Sequence, residues 1–235
     1  AMDSMYELLL SCYQKSDGCL YYRKTAPNHR YVDTVGFVAP FLSYYGQVYS
    51  IDNAKKIALH IVKEFYAKGF HKDTLLPVHA YDIETNAPLG IYGWGRGTGW
   101  FLLGLIETYE NINDIELLNI IYRLAEKYVK YQRKDGSFSC IVQSRNIPDS
   151  SATAVFAYFF AYVSTKLNKT EYYQNSIRAL NYLMNVTRRN GEIDFSQGDT
   201  KGLGFYSSYF DIMPFTQGIV CMALHCLKGK CCLDE

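Results

Sequence analysis

Apolar positions along the chain fall into two alternating kinds of helix. The first kind steps at three and four residues, the mark of a helix with one buried face. It is seen at Ile51, Ala54, Ile57, Ala58, Ile61, Val62 and Phe65. Leu117, Leu118, Ile121, Leu124, Ala125 and Tyr128 repeat it, as do Tyr173, Ile177, Leu180, Tyr182 and Met184, and Met5 to Tyr13 is a shorter version. Charged residues on their other faces place these helices on the outside. Each is followed by a turn, Ser16-Asp17-Gly18, Lys72-Asp73, Lys134-Asp135-Gly136 or Arg189-Asn190-Gly191. Asp-Gly and Asn-Gly pairs favour turns because they tolerate positive φ. Short apolar stretches come next, at Cys19–Tyr22, Leu75–Val78, Ser137–Val142 and Glu192–Phe195.

A second kind of helix then begins, apolar nearly all round and opened by small polar residues. The openings are Asp33-Thr34-Val35-Gly36-Phe37, Gly97-Thr98-Gly99-Trp100, Ser151-Ala152-Thr153-Ala154 and Thr216-Gln217-Gly218. A helix that is hydrophobic on every side is buried. The unit is therefore outer helix, turn, short strand or loop, inner helix, and it occurs about four times. Such units stack into a solenoid or close into an α/α toroid. The expected class is all-α, in one domain over residues 1–235, with no linker or shift of composition dividing it. In a toroid the inner helices all start at one end, so their N–H groups and partial positive charge face a shared cleft suited to an anion.

Composition narrows the partners. Of the 235 residues 49% are hydrophobic and 20% charged, with a net charge of +1, so nucleic acid and anionic membranes are not expected as partners. No uninterrupted apolar run approaches the roughly 20 residues that cross a bilayer. The start, Ala1-Met2-Asp3, has neither a basic region nor an apolar core of a leader. Seven scattered cysteines fit reduced thiols and a cytoplasmic setting. The tail segment Cys221, His225, Cys226, Cys231 and Cys232 lacks the paired knuckle of a zinc site, so no metal is expected there. Aromatic content is high at 16%, with 22 tyrosines, which suits both helix packing and the half-polar walls of a sugar cleft.

Three polar clusters fall at or just before inner helices. Asp33 is either an N-cap or a general acid held among Tyr31, Val32 and Phe37. His79 and Asp82 close the second apolar stretch and are either structural or part of a site. The third runs from Tyr92 to Trp100 and holds both tryptophans, Arg96 and four glycines. Glycine allows close approach of a ligand, and arginine offers a planar fork to a carboxylate. A phosphate-binding loop fits poorly, since no Lys-Ser/Thr ending follows. No Gly-x-Ser-x-Gly elbow is present.

Trp94-Gly95-Arg96-Gly97-Thr98-Gly99-Trp100 resembles the Trp-Ala-Arg-Gly-Asn-Gly-Trp signature of unsaturated rhamnogalacturonyl and glucuronyl hydrolases, glycoside hydrolase families 88 and 105. Other segments are similar in the same order. They are Val32-Asp33-Thr34 through Pro40-Phe41-Leu42, His79-Ala80-Tyr81-Asp82, Ser150 through Tyr158, and the glycine-rich Gly198–Gly204. The resemblance implies a six-hairpin α/α barrel, here shortened at the N-terminal side to about four hairpins. It also implies an oligosaccharide substrate ending in an unsaturated uronic acid. Asp33 would be the acid/base, and His79, the second catalytic candidate, would assist it or bind in the subsite. Trp94, Arg96, Thr98, Trp100, Asp82 and Tyr92 would bind substrate, and no cofactor is implied. Thr98 and Gly95 depart from the signature's Asn and Ala, which puts the substrate preference in doubt. Two other readings remain: a non-catalytic carbohydrate- or partner-binding remnant of this fold, and another sugar-active α/α-toroid enzyme. Exposed inner-helix surface in a shortened barrel predicts a homodimer.

Overall fold

The computed structural model describes residues 1–144 and 147–231. Its helices are α1 (Met2–Ser11), α2 (Val32–Val48), α3 (Asp52–Lys68), α4 (Gly95–Ile112), α5 (Ile115–Tyr128), α6 (Ser150–Thr165), α7 (Tyr173–Asn185) and α8 (Pro214–Cys231). The outer helices follow their pattern. In α3, Ala54, Ile57, Ala58, Ile61, Val62 and Phe65 are buried, whereas Lys56 and His60 are exposed. The inner helices follow theirs, and α6 is buried at every position from Ser150 to Ser164. Phe156, Phe159 and Phe160 of that helix are wholly enclosed, and Phe138 stacks on Phe156 with centroids 3.8 Å apart. Truncating any one of these rings to alanine should cost about 3–5 kcal/mol.

Hairpin partners are joined tightly. Asn113 takes the left-handed conformation that ends α4, with φ of 57°, and Asp114 at once caps α5 by accepting from the amides of Glu116 and Leu117. Along the inner layer α2 packs on α4, α4 on α6, and α6 on α8. Glycine permits the closest of these approaches. A Cβ on Gly36 would stand 2.7 Å from Trp100 Cβ, and one on Gly104 would stand 2.2 Å from the carbonyl oxygen of Val35. The α2–α4 seam therefore depends on both.

Two small antiparallel sheets amend the all-α expectation. Strand β1 (His29–Tyr31) pairs with β2 (Val78–Asp82), which pairs with β3 (Pro88–Tyr92). Strand β4 (Ser196–Gln197) pairs with β5 (Phe210–Asp211). The first sheet matters for position: Tyr31 stands opposite Ala80, so the start of α2 is brought beside His79. No helix among the described residues is long and apolar enough to cross a membrane.

Candidate active site

A cleft of about 420 Å³ opens where the first turns of α2, α4 and α8 meet. Tyr22, Asp33, Phe37, Trp94, Arg96, Trp100, Asp199, Thr200 and Phe215 line it. Asp33 is not the N-cap of α2. Tyr31 holds that position, Asp33 lies in the first turn, and no side chain caps the helix. Helical geometry thus leaves the Asp33 carboxylate unused by the backbone. Its Oδ2 is buried without a hydrogen-bond partner, and the side chain is 16% exposed. The nearest base is His79, whose Nε2 stands 3.4 Å from that Oδ2, a pairing too loose or misaligned to be a formed hydrogen bond.

His79 is fixed on its other side by Tyr206, with Nδ1 3.1 Å from the phenol oxygen. Its ring lies 4.6 Å from that of Trp94, centroid to centroid. Burial raises the Tyr206 phenol above its ordinary value, so it stays protonated through the neutral range.

Arg96 is 3% exposed, with Trp94 and Phe215 rings each 5.5 Å from its guanidinium carbon. It donates to the carbonyl of Gly198, and Nη1 lies 3.9 Å from the exposed carboxylate of Asp199. Desolvation lowers its affinity for its proton, against the pull of Asp149, Asp199 and Asp33. An arginine has five N–H donors and does not deprotonate in practice. It remains a cation in an apolar wall, a setting that favours an incoming anion.

Beneath the cleft a polar brace fixes these walls. Trp94 Nε1 donates to Gln197 Oε1 at 2.9 Å, and Gln197 Nε2 donates to the Ser207 carbonyl at 2.8 Å. The Gln197 backbone N–H donates to Asp149 Oδ1 at 3.0 Å. Asp149 is the N-cap of α6, also taking the amide of Ser151 at 2.9 Å and its hydroxyl at 2.7 Å. It is completely buried, and burial raises its carboxyl above the usual aspartate value.

Of the residues singled out in the sequence, Asp33, His79, Trp94, Arg96 and Trp100 come together here. Three do not. Asp82 caps the turn after β2 through Glu84 and Thr85 and faces His29 at 3.8 Å. Tyr92 packs edge-on against His71. Thr98 is fully buried and its hydroxyl turns back to the Trp94 carbonyl at 2.9 Å. Tyr22, Phe37, Asp199, Thr200 and Phe215 line the cleft without having been named as binding residues from the sequence, although Phe37 and the Gly198–Gly204 segment were noted there; Asp149, Gln197 and Tyr206 beneath and beside them were not named either. Asp149 carried a signal, an Asp directly ahead of Ser150-Ser151 and an inner helix. Among the described residues no group of His, Cys, Asp and Glu side chains could hold a metal. The side chain of Cys231 and all of Cys232 lie outside the described residues, and Cys221 and Cys226 are free thiols on α8.

The description of Glycosyl Hydrolase Family 88 matches residues 1–227. The chain belongs to that family. No curated protein matches the chain. Among solved structures, it is similar to a possible member of family GH105 from Klebsiella pneumoniae, with 18% identity and a TM-score of 0.86 over 97% of this chain and 65% of that one. A family 105 glycoside hydrolase from C. acetobutylicum is similar at 16% identity and a TM-score of 0.83, covering 97% of this chain and 72% of that one. An unsaturated glucuronyl hydrolase specific for heparin is similar at 17% identity and a TM-score of 0.80, covering 96% and 67%. At these identities the likeness establishes a shared fold. The family 88 chain spans 65% of the length of the Klebsiella protein.

Proposed function

We propose that the protein hydrolyses oligosaccharides that end in an unsaturated uronic acid, with Asp33 as acid and base. One observation carries the reading: a cleft carboxylate with a buried, unbonded oxygen beside His79, facing an arginine set between aromatic rings. Arg96 holds the sugar carboxylate, and Trp94 and Trp100 offer apolar faces to the ring. Asp33 gives a proton to one carbon of the vinyl ether, and charge develops on the other, which is bonded to the ring oxygen. The resulting carboxylate then takes a proton from water as it adds there, which restores the acid. The product is a hemiketal, which opens and releases the rest of the chain. The names of the related glucuronyl hydrolases support this substrate class, as does the family.

A second reading, carbohydrate binding without turnover, draws on the 65% span relative to the Klebsiella protein. Unsaturated galacturonyl-rhamnose and glucuronyl disaccharides distinguish the two. Under the first reading the ultraviolet absorbance of the conjugated double bond falls with time. If both sugars bind and neither loses absorbance, the protein is a binder. A cytoplasmic setting fits the free thiols at Cys12, Cys19, Cys140, Cys221 and Cys226. A homodimer fits the exposed Phe37, Tyr44 and Val48 along α2, and a monomer mass at every concentration in light scattering would exclude it.

A further inference from the structure

Tyr206 stands outside the lining of the cleft, yet it touches His79, which stands beside Asp33. Its approach is built in. Gly90, with φ of 83°, has no side chain, and a Cβ there would come within 2.7 Å of the Tyr206 oxygen. That oxygen accepts the Ile91 amide at 3.1 Å. A phenol oxygen has two lone pairs and one proton. With one lone pair taken by the Ile91 N–H, the phenol proton still needs an acceptor. An acceptor within reach is His79 Nδ1, 3.1 Å away.

A neutral imidazole carries one N–H and one bare nitrogen, and the partner of one nitrogen sets the state of the other. We infer that Tyr206 is a positioning residue that fixes the tautomer of His79, leaving Nδ1 bare and turning Nε2–H toward Asp33 Oδ2. This rests on the reading of Asp33 as acid and base. It assigns the two carboxylate oxygens different work. Oδ2, buried and 3.4 Å from Nε2, receives a donor once the site closes. Oδ1 is then the oxygen that carries the proton to and from substrate. A histidine held the other way would present a bare nitrogen to Asp33 and draw that proton away.

The test is the nitrogen spectrum of isotope-labelled imidazoles in the whole protein at about pH 8, above the ordinary histidine range. His79 is identified among the five histidines by its loss in His79→Gln. The expected wild-type result is a proton on Nε2 and an imine-like Nδ1 displaced by hydrogen bonding. In Tyr206→Phe the Nδ1 signal should move toward that of a free imine nitrogen. A proton found on Nδ1 in the wild type overturns the inference, and so does an Nδ1 signal unmoved by the substitution. The wild-type spectrum decides the first point even if the variant fails to fold. In turnover, Tyr206→Phe should lower kcat on the order of tenfold with KM little changed, as for loss of a group that orients an active-site histidine. The spectrum judges the tautomer, and the absorbance assay judges the substrate reading separately.

Discussion

Two aspartates stand at the starts of two inner helices and meet opposite fates. Asp149 is the N-cap of α6, and its Oδ1 collects three donors in a fully buried position, although its Oδ2, like that of Asp33, is buried without a partner. Asp33 is the second residue of α2, caps nothing, and keeps Oδ2 unbonded at the wall of the cleft. Residue type and helix register are nearly the same. The difference is two positions relative to the first helical residue, and it decides whether the backbone or the cleft claims the carboxylate. One aspartate holds the frame, and the other lines the cleft with no backbone partner.

The comparison is broken most severely by exchanging Asp33. Asp33→Asn should lower turnover of unsaturated uronyl disaccharides by roughly 10²–10⁴-fold, the range for loss of a general acid-base group. Its melting temperature should stay near that of the wild type, because no hydrogen bond of the folded state is lost. Asp149→Ala should do the reverse in kind. It removes a cap and leaves the Gln197 and Ser151 donors unmet, so urea unfolding should show a loss of about 2–3 kcal/mol. Arg96→Lys should raise KM by about tenfold with little change in folding, because a point charge does not reproduce the planar fork toward a carboxylate. A KM unchanged by that substitution would remove Arg96 from substrate binding.

The smallest effect lies in the pH dependence of stability. Burial raises the Asp149 carboxyl above its ordinary 3.8, so between that value and the folded one the native state holds the extra proton. Its stability contribution is present at low pH and is lost as pH rises through the raised folded value. Asp149→Asn lacks this titration. The stability difference, wild type minus Asn, should therefore fall with rising pH across that window, and a flat difference would show that the carboxyl is not perturbed.

Much of this arrangement was legible in the sequence. Periodicity separated outer from inner helices because burial on one face and burial all round leave different patterns, as α3 and α6 show. The Trp94–Trp100 segment announced a site because glycines, an arginine and two tryptophans rarely serve packing alone. The pairing of β1 with β2 was hidden, since Tyr31 and Ala80 meet across a long stretch of chain with no local signature. Thr98 shows the opposite limit. It sits inside the signature, but its helical register turns the hydroxyl back onto the Trp94 carbonyl and away from the cleft. The residues between Gly198 and Tyr206 read as a loop, and only the fold reveals that Asp199 reaches the cleft while Tyr206 reaches His79.

The initial rate of absorbance loss from an unsaturated uronyl disaccharide, measured in parallel for wild type, Asp33→Asn and Asp149→Asn, tests most directly which aspartate acts. The account predicts that Asp33→Asn is nearly inert while Asp149→Asn, where it remains folded, keeps its rate within about tenfold, as a residue that supports the walls without touching substrate should. An Asp33→Asn protein that still consumes the double bond, or a folded Asp149→Asn protein that is equally inert, would contradict it.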